Sequence, residues 1–325
     1  MGAYRMGSKG DEVRKIQEKL KSGGFYRGPV DGDFGGGTQA AVKAFQQSKR
    51  LDVDGTVGPL TWKALFKSPI AKPAIHSKSL DYKCLSLTGA FETGQGVPDC
   101  FAGLSGDFDG QGMSFGVLQW NFGQDSLQSL LREMTDSHPD IVRAIFRTNH
   151  DVLLSALDAD KEDLMAFVRS IQHPVNHFFF EPWRGMFKSL GRTEEFQEIE
   201  LKSAGLIFRA AVQYCADYGL WSGRAVALMF DIRVQNGSIK ELVKTQILKD
   251  FEDLPPDLPD PEREVRKLRI VANRRAEAAN PAWIEDVRTR KLCIANGSGV
   301  VHGIPYDLEG QFGIGLTRCG IAPGP

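Results

Sequence analysis

Two stretches near the N-terminus of this 325-residue chain share one order of turn and helix signals. Each has a Val-Asp-Gly turn, a Phe-Gly or Val-Gly pair and then a threonine; they are VDGDFGGGT (30–38) and LDVDGTVGPLT (51–61). Glycine after aspartate favours a tight turn, and threonine can cap a helix. The preceding segment, GDEVRKIQEKLKSGG (10–24), has apolar residues at helical spacing. We therefore predict that the first 66 residues form a small three-helix domain with a weak internal repeat.

This order of turns and helix faces resembles the three-helix peptidoglycan-binding domain found on many cell-wall hydrolases. The resemblance covers nearly all of residues 7–66. The sequence there offers no acid pair, no metal cluster and no nucleophile with a base, which favours binding over catalysis. The resemblance implies bacterial peptidoglycan glycan strands as the partner. The residues expected to contact the wall are Asp31, Phe34, Thr38 and Gln46.

The segment that follows, KSPIAKPAIHSKS (67–79), has two prolines and no periodicity, which is typical of a linker. A chain of this length also exceeds the roughly 250–300 residues at which a single core stops growing. We therefore predict a binding domain at 1–66, a linker at 67–79 and a second domain at 80–325. Residues 1–66 carry eleven Lys or Arg against seven Asp or Glu, a charge of about +4 that would help weakly against an anionic wall.

The second domain begins with a helix that ends on a glutamate, Glu92. Ser79 can cap this helix, and Gly94 lies where a left-handed stop belongs. One apolar stripe runs along it through Leu80, Cys84, Leu87 and Phe91. A carboxylate here meets the negative end of the helix dipole and apolar neighbours, so we expect a raised pKa. Such a position is poor for stability and good for a general acid.

A loop with many glycines follows Glu92 and carries Asp107 and Asp109. The next segment, MSFGVLQWNF (113–122), has the aromatic and β-branched content of strands. We predict a helix, a loop and a small sheet that place these aspartates across a cleft from Glu92. One protonated and one ionised carboxyl on opposite walls of a cleft are what glycoside cleavage requires.

That arrangement resembles the lysozyme superfamily, and locally its chitosanase branch, in which a helical glutamate is followed by a G-D-G-R-G-Y-T motif. The matching stretch here is FDGQGMSFG (108–116). The resemblance implies that Glu92 is the general acid, that Asp109 is the base that activates water and that Ser114 orients the water. Gln111, Met113 and Phe108 depart from the motif, which puts chitosan in doubt as the substrate.

Further residues are candidates for substrate contact: Asp107, Gln119, Trp183 and Asn236. Three other roles for Asp107 stay open: an alternative base, a loop-shaping side chain and the first ligand of a calcium loop. Position twelve of such a calcium loop requires a glutamate and is Leu118 here. Trp183 belongs to HPVNHFFFEPW (173–183), where we expect part of the phenylalanine run in the core and one aromatic stacked on a sugar. Asp231, between apolar neighbours, is expected to have a hydrogen-bond or arginine partner.

Composition bears on the other classes of function and location that a chain of this kind could have. The net charge of −1 gives no argument for nucleic-acid binding, and no apolar run approaches the ~20 residues of a membrane span. The first residues lack the apolar core of a secretory signal, so the export route stays open. The five cysteines are scattered; a Cys84–Cys100 disulfide stays open beside buried free thiols. No metal or cofactor is expected.

Together these features predict a mainly α protein: a small three-helix binding domain followed by a lysozyme-like α+β domain with a small hairpin or sheet. The predicted function is cleavage of β-1,4 glycosidic bonds of peptidoglycan at the bacterial cell wall or periplasm, by a monomer. The alternatives are a chitosanase with an accessory module and a non-catalytic peptidoglycan-binding protein. A lytic transglycosylase also stays open.

Overall fold

The computed structural model describes residues 4–68 and 73–319. In these ranges the chain forms fifteen α-helices and two small antiparallel sheets, which confirms the mainly α prediction. Two compact units are present: unit A comprises Met1–Leu87 and Ile207–Pro325, and unit B comprises Thr88–Leu206. Residues 69–72 of the predicted linker lie outside the described residues, and the domain boundary at 67–79 stays a prediction.

The N-terminal part of unit A contains three helices packed around one apolar core. Their bounds are α1 (Asp11–Ser22), α2 (Gly36–Ser48) and α3 (Pro59–Phe66). The core residues have at most 8% of their surface exposed and are Tyr4, Val13, Ile16, Leu20, Tyr26, Phe34, Ala41, Val42, Phe45, Val57, Trp62 and Leu65. The apolar helix faces predicted from the sequence therefore point into the core.

A buried glutamine, Gln17, holds the first of the two repeated turns. Its Nε2 donates to Asp31 Oδ1 at 2.8 Å and to Thr38 Oγ1 at 3.1 Å. Its Oε1 accepts a hydrogen bond from the backbone N–H of Gly32 at 2.8 Å. One side chain thus satisfies the turn and the start of α2 together.

Gln46 repeats this network in the second half of the domain. Its Nε2 donates to Asp54 Oδ1 at 2.8 Å and to Thr61 Oγ1 at 3.1 Å, and its Oε1 accepts from Gly55 N at 2.9 Å. The two networks correspond partner for partner. The weak repeat in the sequence is therefore a repeat of hydrogen-bonding geometry.

This N-terminal part also contacts a C-terminal hairpin of unit A, residues 298–307. Arg5 forms an ion pair with Asp307. A methyl group built on Gly7 would lie 2.7 Å from Pro305 Cγ, so the backbone approaches this proline closely. The three-helix domain is therefore attached to the rest of unit A by side-chain contacts as well as by the chain itself.

Helix α4 spans Leu80–Thr93 and passes into unit B at Thr88. Unit B then contains a three-stranded antiparallel sheet of order β1-β2-β3 and a layer of helices. The strands are β1 (Leu104–Ser105), β2 (Ser114–Phe115) and β3 (Trp120–Asn121). The helices are α5 (Ser126–Ser137), α6 (Pro139–Phe146), α7 (His150–Asp158), α8 (Lys161–Ser170), α9 (Trp183–Gly191) and α10 (Glu194–Ser203). Their core combines aliphatic side chains with phenylalanines, among them Phe115, Phe122, Phe146, Phe187 and Phe196.

The remaining elements belong to unit A apart from the first residues of α11. The helices are α11 (Gly205–Asp217), α12 (Gly223–Asn236), α13 (Glu241–Glu252), α14 (Asp260–Glu277) and α15 (Ile284–Asn296). They are followed by the hairpin of β4 (Ser298–Val301) and β5 (Ile304–Asp307). No helix among the described residues has both the length and the apolar content of a membrane span.

Asp231 of α12 is fully buried and has the partners expected of it. Arg290 Nη2 donates to Asp231 Oδ1 at 2.6 Å, and Lys291 pairs with the other carboxylate oxygen. Burial alone would raise the pKa of Asp231, but the two cations outweigh it and hold the pKa well below its usual range. All five cysteines are free thiols, so Cys84 and Cys100 form no disulfide.

Candidate active site

Glu92 lies in the last turn of α4, as the sequence predicts. Cys84, Leu87 and Phe91 of the predicted stripe are at most 2% exposed, whereas the Glu92 side chain is exposed. Gly94 ends the helix with a φ of 67°, and its N–H donates to Ala90 O at 2.9 Å. The expected desolvation of Glu92 by apolar neighbours is therefore wrong, because the step of about 100° from Phe91 carries its carboxyl off the buried face.

The small sheet forms where strands were predicted, within residues 113–122, and has one further strand, β1. The connection from β1 to β2, residues 106–113, carries Asp107 and Asp109 and is called the acid loop. Ser114 pairs with Ser105 on one side and with Asn121 on the other, so it lies in the central strand β2. Its side chain is partly exposed, while that of Phe115 is fully buried. Alternation along β2 thus turns the Ser114 hydroxyl away from the core.

The end of α4 packs against this sheet. A methyl group built on Gly89 would lie 2.4 Å from Val117 Cγ2, which shows that the helix backbone touches the β2–β3 turn. Another on Gly103 would lie 2.8 Å from Gln119 Nε2 and 3.5 Å from Thr93 Cγ2. The turn that carries Glu92 and the β2–β3 turn are therefore neighbours.

Asp107 and Asp109 lie on the connection between β1 and β2 rather than on a strand. Asp107 Oδ1 accepts from Gly112 N at 2.9 Å, and Asp107 N donates to Gln172 Oε1 at 3.1 Å. Asp109 is exposed, and its Oδ1 accepts from Gln111 N at 3.1 Å. Asp107 therefore shapes the loop, which was one of its predicted roles, and Asp109 presents a carboxylate to solvent. The described residues contain no group of three or more His, Cys, Asp or Glu placed to hold a metal.

Gln119 occupies the β2–β3 turn with a φ of 56°. Left-handed backbone at a residue other than glycine costs on the order of 1–3 kcal/mol and is found preferentially at functional sites. Its Nε2 donates to Gly116 O at 2.8 Å, so the side chain folds back on its own turn. Its predicted contact with substrate stays a prediction.

Glu200 of α10 is a buried acid that the sequence reading missed. It is 0% exposed, and its Oε1 accepts from Val117 N at 2.8 Å. A methyl group on Gly116 would lie 2.1 Å from that oxygen, so only glycine fits, at a φ of 89°. Burial raises the pKa of Glu200 well above its usual value. Glu200 therefore supports the β2–β3 turn from a buried position that disfavours the charged form of its carboxyl.

One signal for Glu200 was present in the sequence. Thr193 caps α10 by accepting from Phe196 N, which fixes the start of the helix. Phe196, Ile199 and Glu200 then recur at the spacing of one helix face, and all three are buried. An acid on an apolar stripe marks a neutral or paired carboxyl.

Trp183 does not fit its predicted role. Its side chain is 8% exposed. Its ring lies between those of Phe167 at 5.0 Å, Phe146 at 6.1 Å and Phe187 at 6.2 Å. As the first residue of α9 it points into the core, so the prediction that it stacks on a sugar is corrected. Asn236 ends α12 in unit A, and its predicted contact with substrate stays a prediction.

The predicted wall-binding residues divide into two groups. Phe34, Thr38 and Gln46 are at most 1% exposed and serve the core and the glutamine networks. A direct wall contact by Phe34 and Gln46 is therefore wrong, whereas that of Thr38, which lines the groove described next, stays a prediction. Asp31 is exposed and lines an open groove of about 740 Å³. The groove side chains are Phe25, Tyr26, Arg27, Pro29, Asp31, Asp33, Thr38, Ala40 and Ala41.

Residues 9–65 match the family described as "Putative peptidoglycan binding domain". The N-terminus is a peptidoglycan-binding domain. The three helices, the two glutamine-held turns and the groove described above all lie within this matched range or at its edge. The resemblance read from the turns and helix faces is thereby confirmed for this part of the chain.

Several curated proteins share a short segment with the chain. A spore cortex-lytic enzyme of Bacillus cereus is 45% identical over 62 residues, which is 19% of this chain and 24% of that protein. The N-acetylmuramoyl-L-alanine amidase CwlM of Mycobacterium tuberculosis is 36% identical over 75 residues, 20% of this chain and 18% of its own length. A zinc D-Ala-D-Ala carboxypeptidase of Streptomyces albus G is 35% identical over 68 residues, which is 20% of this chain and 27% of that protein. The chain thus spans about a quarter or less of these relatives.

Among solved structures, the chain is similar to one described as a chitosanase complex. The TM-score is 0.42 at 16% sequence identity, and the match covers 70% of this chain and 95% of that one.

Proposed function

We propose that the protein is a cell-wall hydrolase that cleaves β-1,4 glycosidic bonds of peptidoglycan by general acid/base catalysis. The observation that carries this proposal is the exposed carboxyl of Glu92 at the end of a helix packed on a small sheet. The β1–β2 connection of that sheet presents a second exposed carboxyl, Asp109. Two carboxyls and an ordered water are sufficient for glycoside hydrolysis without a metal or cofactor.

The proposed roles are those that the resemblance to the chitosanase branch implies. Glu92 donates a proton to the leaving oxygen, and Asp109 takes a proton from the attacking water. Ser114, whose side chain leaves β2 on the exposed side, orients that water through its hydroxyl. This assignment requires the two carboxyls to lie roughly 6.5–9.5 Å apart in the working enzyme, and the product to have inverted configuration.

The peptidoglycan-binding domain is the reason for proposing peptidoglycan as the substrate. Its groove combines aromatic side chains, Phe25 and Tyr26, with Arg27, Asp31 and Asp33. Aromatic walls with a few polar groups are common in sites for small ligands. Binding of the wall by this domain raises the local concentration of glycan strands at the enzyme and places its action at the bacterial cell wall.

Mass spectrometry of the products from purified peptidoglycan tests the proposal. New reducing ends on the glycan, with stem peptides intact, are expected. Cleavage between sugar and peptide would contradict a glycosidase, and anhydro-muramyl ends would replace hydrolysis by a lytic transglycosylase. Faster cleavage of chitosan than of peptidoglycan would favour a chitosanase with an accessory module. The absence of any product would favour a non-catalytic wall-binding protein.

A further inference from the structure

Three phenylalanine side chains of unit B are exposed beside the acid loop. Phe108 is 72% exposed, Phe178 is 52% exposed and Phe180 is 40% exposed. His177 lies against Phe108 with ring centroids 5.0 Å apart, and His173 stacks on Phe178 at 4.9 Å. We call these five residues the aromatic platform. Exposed aromatic patches of this kind commonly mark binding surfaces.

The platform is held rigidly by backbone hydrogen bonds. His173 N donates to Phe178 O at 2.8 Å, and His177 N donates to His173 O at 3.0 Å. His173 Nδ1 accepts from Val175 N at 3.1 Å and from Asn176 N at 3.0 Å. His177 has a φ of 52°, a conformation that costs energy and that this network maintains. The aromatic rings are therefore exposed in an ordered segment.

The same segment is joined to the loop that carries the acids. Gln172 Oε1 accepts from Asp107 N at 3.1 Å. A methyl group on Gly106 would lie 2.0 Å from His177 O, so the two backbones touch. Phe108 itself stands between Asp107 and Asp109 in sequence. The platform and the proposed base Asp109 consequently belong to one connected surface.

We propose that the aromatic platform binds an N-acetylated hexosamine ring of the glycan strand. This proposal rests on the proposed function and names a subsite of it. A pyranose ring has an apolar C–H face that packs on an aromatic ring and a polar edge that bonds to neighbouring acceptors, a combination common in ligand sites. The carboxylates of Asp107 and Asp109 border the platform, and their negative charge disfavours an anionic lipid surface in its place.

Phe108→Ala in the full chain tests the platform with soluble N-acetylglucosamine oligomers as the probe. The KM is expected to rise about tenfold while kcat falls far less, because stacking stabilises bound substrate and transition state alike. Phe108→Trp, which keeps an aromatic face, is expected to restore the KM. Leu242→Ala is the matched control, since Leu242 is 72% exposed on α13 and lies in unit A.

An unchanged KM for Phe108→Ala would overturn the platform and leave the proposed function standing. Loss of binding to anionic phospholipid vesicles, with oligomer affinity unchanged, would also overturn it. If the wild-type chain cleaves no glycan, the proposed function fails. NMR titration with the same oligomers still measures their affinity for the platform. In that case a loss of oligomer affinity in Phe108→Ala supports the subsite.

Discussion

Glu92 differs from its neighbour Phe91 in exposure, and this allows its chemistry to be tested without disturbing the core. Glu92→Gln keeps the size of the side chain and removes the proton that a general acid donates. We expect activity on peptidoglycan to fall at least ~10²-fold, the scale of general acid catalysis. Initial rates of turbidity loss measure this effect, and Glu198→Gln on the exposed face of α10 is the control. Near wild-type lysis by Glu92→Gln would refute the site.

Asp109 and Asp107 form a matched pair for the role of the base. Asp109→Asn is expected to be severely impaired because an amide cannot accept the proton of water, whereas an amide at Asp107 can still accept from Gly112 N. Ser114→Ala is expected to be partly impaired. Kinetics of the three variants and NMR of fresh product check the assignment. A larger loss for Asp107→Asn, or retained configuration in the product, would contradict it.

The burial of Glu200 predicts that the stability of the protein depends on pH. The pKa of Glu200 in the folded protein is well above the usual 4.5. The contribution of Glu200 to the free energy of unfolding is therefore fully present below its unfolded pKa and is lost as the pH rises toward its folded pKa. Glu200→Gln removes this titration, so the variant should gain relative to wild type above about pH 4.5, by up to about 1.4 kcal/mol per pH unit. Urea unfolding of both proteins at several pH values gives the difference. A difference that does not vary with pH would mean that the pKa of Glu200 is not raised in the folded protein.

At the scale of elements, the two glutamine networks contribute to the stability of the three-helix domain. Gln46→Ala leaves the partners at Asp54, Gly55 and Thr61 without their hydrogen bonds, at a cost of about 1–3 kcal/mol. Gln47→Ala is the control, because the next side chain on α2 is exposed. Thermal unfolding followed by circular dichroism measures both variants. Equal stability would show that water replaces the network.

The elements also show how far sequence reasoning reaches. The stripe of α4, its glycine stop and the strands within residues 113–122 follow from periodicity and turn chemistry, which are local. The exposure of Glu92 relative to Phe91 follows from helix geometry, but the burial of Trp183 depends on two phenylalanines from other helices, Phe146 and Phe167. Phe34 and Thr38 likewise match a binding family while serving its core. Family likeness identifies the domain and does not separate contact residues from structural ones.

At the scale of the whole molecule, wall binding and bond cleavage should separate. Ala40→Trp places a large side chain in the groove of the peptidoglycan-binding domain, so sedimentation with intact walls should fall while cleavage of soluble oligomers continues. Ala44→Trp, exposed on the same helix and outside the groove, is the control. A groove variant is preferable to truncation because Arg5 and Gly7 contact the C-terminal hairpin. Unchanged sedimentation would place the wall site elsewhere.

The contact between Gly106 and the His177 carbonyl has a consequence for how such a protein can diverge. Any side chain at Gly106 would meet the His177 carbonyl at 2.0 Å, so the acid loop and the aromatic segment lie this close only with glycine at that position. Phe108, two residues away, is 72% exposed, and its ring packs against that of His177. Under the proposed role of the aromatic platform, a substitution at Phe108 alters the sugar preference while the surrounding loop stays intact.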